Sequence, residues 1–172
     1  MSDTDVPEII VFQTHLDDFS VLGNENVLTE SSYFDGFWTD FFGMGGYEPI
    51  LPFATDPLPV NVWYTNREGQ RVYLQGLIVG TVDTVPNGYR LVTFPASDFL
   101  VVTTDWLESN EDAVGESGNG RCNRYAETVE APEGYVRNDG PGGPMTKMEL
   151  ENADTPSGSR YEVWVPIVRG QL

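Results

Sequence analysis

Tyr161-Glu162-Val163-Trp164-Val165-Pro166-Ile167 is the run from which the fold reads outward. β-Branched and aromatic residues alternate along it and Pro166 closes it, which is the composition of a β-strand. Strand side chains alternate between faces, so Glu162 and Trp164 share one side while Tyr161, Val163 and Val165 share the other. Glu162 is a misfit in an otherwise apolar run. A carboxylate beside an indole on one strand face is either a solvated edge, paired with Arg160 or Arg169, or the floor of a pocket for a positively charged group.

Working back from this strand, Asp154 to Ser159 is a hairpin turn and Met145 to Leu150 a short strand. Cys122, Tyr125, Ala126 and Val129 fall on one face of a short helix that Asn119 can cap, and residues 105–119 and 130–144 read as loops. Asp98 to Thr104 and Tyr89 to Phe94 are strand segments broken by Pro95-Ala96-Ser97, and Pro86-Asn87-Gly88 is the strongest turn signal in the chain. Upstream, Arg71 to Val82 is a long strand. Gly76 and Gly80 inside it suggest a bulge or a close approach by something else. Val60 to Tyr64 pairs with it across the turn Asn66-Arg67-Glu68-Gly69. Residues 47–59 read as irregular. Tyr33, Phe34, Phe37, Trp38, Phe41 and Phe42 form one apolar stripe at helical spacing, capped by Ser31 or Ser32 and ended by Gly43 to Gly46. The chain opens with a strand from Ile9 that runs loosely to Leu22 and turns at Gly23-Asn24.

The order strand, helix, strand, strand therefore occurs twice, over about 8–82 and about 89–168. This predicts one α+β domain spanning residues 1–172. Duplicated β-α-β-β units form a single antiparallel sheet with both helices on one face, leaving a groove between the halves for a ligand.

Composition narrows the function. At 172 residues with 40% hydrophobic content the chain can bury a core, and 4 Trp, 8 Tyr and 9 Phe are many for that length. A net charge of −18 argues against nucleic acid and against anionic lipid. Lys147 is the only lysine; an acidic, lysine-poor surface suits either a high-salt source or an ordinary acidic soluble protein. A single cysteine, Cys122, gives no intrachain disulfide and no thiolate zinc cluster, and the acidic start and the lack of a membrane-length apolar run point to the cytoplasm.

Val72-Tyr73-Leu74-Gln75-Gly76-Leu77-Ile78-Val79, followed by Val85-Pro86-Asn87-Gly88-Tyr89-Arg90-Leu91-Val92-Thr93-Phe94-Pro95-Ala96, resembles the centre of the GyrI-like domain, also known as the AraC-type effector-binding domain of bacterial transcription activators. Trp38, Phe41 and Phe42 are similar to that family's first aromatic helix, Met148-Glu149-Leu150 to its short Glu-containing strand, and Tyr161 to Ile167 to its ending. The sequence departs from the pattern where Ser97 or Asp98 stands in place of glycine, and in its short, weakly apolar second helix. The resemblance implies a stand-alone effector-binding domain without a DNA-binding partner domain. It would bind hydrophobic, often cationic, small molecules between its halves and need no cofactor. Carried over, the pocket carboxylate is Glu162, with Glu149 as second choice, and the walls come from Trp164, Tyr73, Trp38, Trp63 and Phe37.

A carboxylate in a partly apolar site is costly unless paired, and a ligand cation offsets that cost while aromatic walls add cation–π attraction. Binding rather than catalysis is therefore the first expectation. The resemblance leaves one enzymatic alternative, hydrolysis of an electrophilic small molecule with Glu162 as general base and Tyr73 orienting the substrate. A third is inhibition of a basic protein partner through the acidic surface, and a homodimer is open. His15 with Asp17 and Asp18 makes a poor metal cage, and Glu108 to Glu116 lacks the spacing of an EF-hand loop, so no metal is expected.

Overall fold

Period-two runs of valine, leucine and aromatic residues give this chain its strands. The computed structural model describes residues 7–170. In chain order the elements are β1 (Ile9–Leu16), β2 (Phe19–Val27), α1 (Phe34–Gly43), β3 (Ala54–Thr65), β4 (Arg71–Val79), β5 (Arg90–Phe94), β6 (Ser97–Thr104), α2 (Asn110–Val114), α3 (Arg121–Thr128), β7 (Tyr135–Arg137), β8 (Lys147–Thr155) and β9 (Gly158–Arg169). The strands form one sheet in the order β1-β6-β9-β8-β3-β4-β2-β5, with β7 added to β9. Every pairing is antiparallel. The class is α+β. From the β3–β8 seam the order runs β3-β4-β2 on one side and β8-β9-β6 on the other, so each half carries strand, helix, strand, strand in the same arrangement.

The opening strand differs from expectation. Gly23-Asn24 is not a turn; both residues lie inside β2, and the run from Ile9 is two strands broken at Asp17-Asp18. β1 pairs with β6 and β2 with β5, and one register passes through both breaks, from Leu16↔Ser97 to Phe19↔Phe94. β1–β2 and β5–β6 are thus two long, kinked strands that form one ribbon. That ribbon joins β4 on one side and β9 on the other, so the sheet curls until it closes on itself. Gly23 and Gly76 face each other where β2 crosses β4. A Cβ on Gly76 stands 2.2 Å from the Leu22 carbonyl oxygen and one on Gly23 stands 2.0 Å from that of Gln75, so only glycine fits.

Closure gives the sheet an inside and an outside. Inside, Val21, Val60, Val62, Tyr64, Val72, Leu74, Phe94, Phe99, Val101, Met148 and Trp164 make one core drawn from both halves. Outside, each half is covered by its own helix. α1 stands on large rings, with Phe41 fully buried over Leu22, Leu77 and Val79. α3 lies on Val102, Val163 and Val165 through the small side chains of Cys122 and Ala126.

Other local differences have physical causes. Tyr33, not Ser31 or Ser32, is the N-cap of α1, without a side-chain cap; the Ser32 hydroxyl instead accepts from the Thr29 N–H at 2.6 Å. Residues 105–119 contain α2, capped by Ser109, and a π turn over Glu116–Gly120 that occupies the place where Asn119 was expected to cap. Gly118 is required there because a Cβ stands 2.4 Å from the Ala113 carbonyl oxygen. Of the stretch 47–59 expected to be irregular, residues 47–53 are turn and a short 3-10 helix, and the remainder is the first part of β3, which slips register between Ala54 and Pro59.

Candidate functional site

Cross-strand register decides which candidate residues meet. Glu149 on β8 is opposite Asn61 on β3 and Val163 on β9; Asn61 is opposite Gln75 on β4; Trp63 is opposite both Tyr73 and Lys147. Paired residues share a face, so Asn61, Trp63, Tyr73, Gln75, Lys147, Glu149, Glu151 and Tyr161 all lie on the outer face, over the seam between the halves and between α1 and α3.

The seam is a ring of aromatics around two carboxylates. Tyr73 is almost fully buried and packs against Trp63 at 4.7 Å, Phe34 at 4.9 Å and Phe37 at 6.1 Å between ring centroids. Trp38 on α1 lies near enough to the Tyr73 hydroxyl to act on its proton affinity, lowering it against the effect of burial. Lys147 Nζ lies 4.4 Å from the centre of the Trp63 ring, a cation already resting on an aromatic face. The same Nζ donates to Asn123 Oδ1 at 2.8 Å, and Asn123 Nδ2 donates to Glu149 Oε2 at 2.6 Å. Asn61 faces Glu149 across the β3–β8 pair. Two residues along, Glu151 accepts from Tyr161 Oη at 3.3 Å.

The electrostatics are those of charge held away from water. Burial pushes the Glu149 carboxyl above the usual carboxylate range, outweighing Asn123, Lys147 and Asn61, which pull it down. Burial likewise raises Glu151. Tyr47, Tyr73 and Tyr161 are all pushed upward by burial first and then by the neighbouring carboxylates, so all three are neutral donors. Four buried polar atoms at this seam have no hydrogen-bond partner among the described residues: Tyr47 Oη, Asn61 Oδ1, Gln75 Nε2 and Asn110 Oδ1. A cavity of about 270 Å³ opens beside α3, lined by Lys147 and Asn123 together with Arg137, Asp139 and Val165.

The other candidates are elsewhere. Glu162 is opposite Leu150 and Trp164 opposite Met148, so both belong to the inner face. There the carboxylate is engaged on both oxygens. Arg160 donates to Oε2 from Nη2 at 2.8 Å and from Nε at 3.0 Å, and the Trp164 indole donates to Oε1 at 3.1 Å. The guanidinium stacks over Trp106 at 4.2 Å. Trp164 packs against Phe99 at 5.3 Å within the inner core. The structure thus brings together Glu149, Tyr73, Trp38, Trp63 and Phe37, and the sheet divides them from Glu162 and Trp164. Sequence reasoning missed Glu151, Tyr161, Tyr47, Asn61 and Asn110. A signal was present, since Met148-Glu149-Leu150-Glu151 and Val60-Asn61-Val62 alternate apolar with polar and so place the polar groups on one face.

Two larger cavities, of about 440 and 450 Å³, lie away from this seam. Several of their charged groups are paired within the protein. His15 sits between Asp98 at 2.8 Å and Asp17 at 3.2 Å, and Glu25 is held by Tyr64 and Arg90.

No protein-family model matches the sequence, and no curated protein matches it. Solved structures do match its fold. A Staphylococcus aureus MU50 protein, described as a candidate bacterial transcription regulation protein, superposes with a TM-score of 0.62 at 15% identity, covering 94% of this chain and 99% of its own. SAV2435, solved bound to tetraphenylphosphonium, gives 0.61 at 13% identity, covering 92% and 94%. The EcmrR C-terminal domain gives 0.53 at 11% identity, covering 94% and 99%. Among the described residues no helix is long and apolar enough to cross a membrane. At these identities the likeness is one of fold, and the chain shares the fold of these proteins over nearly its whole length.

Proposed function

We propose that this domain binds a small hydrophobic cation in the seam between α1 and α3, over Trp63 and Tyr73, with Glu149 as the principal counter-charge. The observation that carries this reading is the Glu149–Glu151 pair. Two carboxylates project from one strand face into an aromatic, largely buried setting, and among the described residues the cation acting on Glu149 is Lys147, held through Asn123. Such an arrangement is unfavourable in the empty protein and becomes favourable when a cation enters. Trp63, Tyr73, Trp38 and Phe37 supply the apolar walls. The binding of tetraphenylphosphonium by SAV2435, a protein of the same fold, supports the choice of ligand class. The net charge of −18 steers cations toward the domain.

Glu149 replaces Glu162 as the proposed ligand carboxylate because Glu162 is already neutralised by Arg160 within the inner core. The test is a fluorescence titration with a cationic aromatic dye. Wild type binds it in the micromolar range, and Glu149→Gln weakens binding about tenfold or more, a loss of ~1.4 kcal/mol. Equal affinity in the two proteins removes Glu149 from the role.

A further inference from the structure

The aromatic face that Trp63 offers at the seam is already occupied by the protein itself. Lys147, the only lysine in the chain, opens β8 directly across from Trp63 on β3. The Thr146 N–H donates to the Trp63 carbonyl at 2.7 Å, so the backbone fixes the lysine beside the ring. From there Nζ stands 4.4 Å from the ring centre and donates to Asn123 Oδ1 at 2.8 Å. The same amide donates to Glu149 Oε2 at 2.6 Å. An indole face, a hydrogen bond and a link to a buried carboxylate are what a cation site offers, and here a side chain of the protein takes all three.

Two cations do not share one indole face at contact distance without repulsion, so a ligand that stacks on Trp63 requires the ammonium to leave. The lysine is built to move. Its backbone is held in the sheet, but its charge rides on a flexible four-carbon stem, and the residue is only partly buried. It also has somewhere to go. The cavity of about 270 Å³ that Lys147 borders is lined by Glu127 and Asp139 as well. Asp139 already accepts from Arg137 Nη2 at 2.6 Å, and Glu127 is exposed. An ammonium turned away from Trp63 therefore meets carboxylates and water on the α3 side, and the Trp63 face and the Asn123 amide become free together.

We infer that Lys147 is a tethered occupant of the cation site, and that a ligand binds by displacing its ammonium from Trp63 and Asn123. This rests on the cation-binding reading given above and adds a selection rule to it. A cation enters only when its body gains more from the rings of Trp63, Tyr73 and Phe37 than the displaced ammonium gives up. Aromatic onium ions meet that condition, and a small cation without rings does not. Calorimetric titration of tetraphenylphosphonium into wild type, Lys147→Met, Lys147→Arg and Glu149→Gln is the first arm of the test. The second is the rate at which an amine-acylating reagent labels Lys147 in wild type, read by mass spectrometry of its peptide, with and without saturating tetraphenylphosphonium or the same concentration of tetramethylammonium.

Lys147→Met is expected to bind tetraphenylphosphonium about tenfold more tightly than wild type, since a cation–π contact and a charge-assisted hydrogen bond no longer have to be broken. Lys147→Arg, which keeps a cation on the ring, binds no more tightly than wild type. The labelling arm carries the sharper expectation: tetraphenylphosphonium speeds acylation of Lys147, because the bound ligand releases it, and tetramethylammonium leaves the rate unchanged. A ligand that merely fills space beside Lys147 slows the labelling instead. Slower or unchanged labelling with tetraphenylphosphonium, or equal or weaker binding by Lys147→Met, overturns the displacement; when Glu149→Gln still weakens binding, the cation site stands without it. Equal acceleration by tetramethylammonium overturns the selection rule. Absence of binding to both wild type and Lys147→Met, or binding that Glu149→Gln leaves untouched, overturns the site and the displacement together. The labelling arm uses wild type alone, so it decides the matter even if Lys147→Met fails to fold.

Discussion

Glu162 and Glu149 lie on adjacent strands of one sheet, each more than 90% buried, and they do opposite things. Glu162 faces inward, where Arg160 and the Trp164 indole occupy both of its oxygens and Trp106 covers the guanidinium. Glu149 faces outward into the seam, where Asn123 donates to it, Lys147 is linked to it through Asn123, and a second carboxylate stands two residues away. Burial alone does not mark a functional charge. What distinguishes the two is whether the protein completes the pairing by itself. Arg160 pairs Glu162 directly, whereas the groups bonded to Glu149 are a neutral amide and, through it, Lys147.

Four substitutions or conditions sharpen that contrast. The largest effect is expected at Glu162. Glu162→Ala strands the Arg160 guanidinium in a mostly buried position and costs about 3 kcal/mol of stability, read as a lower midpoint in denaturant. Glu149→Gln works in the other direction. It removes a buried charge while keeping an acceptor for Asn123, so the melting temperature rises by about 2–4 °C for each ~1 kcal/mol gained. Trp63→Leu takes away the ring over which a cation rests and lowers dye affinity by about 1 kcal/mol, with secondary structure by circular dichroism unchanged.

The smallest effect is the pH dependence. Because burial raises the Glu149 and Glu151 carboxyls, the folded state holds their protons more tightly than the unfolded chain does. Stability from these groups is therefore fully present below the ordinary carboxyl pKa and is lost as pH rises through the raised values. The facing groups do not reverse this. Tyr47, Tyr73, Tyr161 and Cys122 are all pushed upward by burial and stay neutral across that window. Melting temperature against pH should thus climb on mild acidification in wild type and flatten in the Glu149→Gln, Glu151→Gln double variant.

Much of the fold was legible in the sequence. Alternation in Tyr161 to Ile167, the aromatic stripe from Tyr33 to Phe42 and the Pro86-Asn87-Gly88 turn lead to an α+β domain in which strand, helix, strand, strand occurs twice. The kink at Asp17-Asp18 was not legible, because it follows from pairing with β5 and β6 far along the chain. Gly76 was readable as a close approach, and the partner proved to be the protein's own β2 at Gly23. For the site, alternation correctly paired Glu162 with Trp164 on one face. It could not say that this face is the inside, because β9 is apolar on both sides. Only closure of the sheet distinguishes them.

The most direct measurement is the thermal shift produced by a saturating cationic aromatic ligand in wild type and in Glu149→Gln. A ligand that binds only the folded protein raises its stability in proportion to the logarithm of its saturation. Wild type should start lower and rise by several degrees, about 2–4 °C for each ~1 kcal/mol of binding linkage. Glu149→Gln should start higher and barely move. A variant that starts lower than wild type, or one that keeps the full ligand shift, would contradict the assignment of Glu149 as the charge the protein leaves for its ligand.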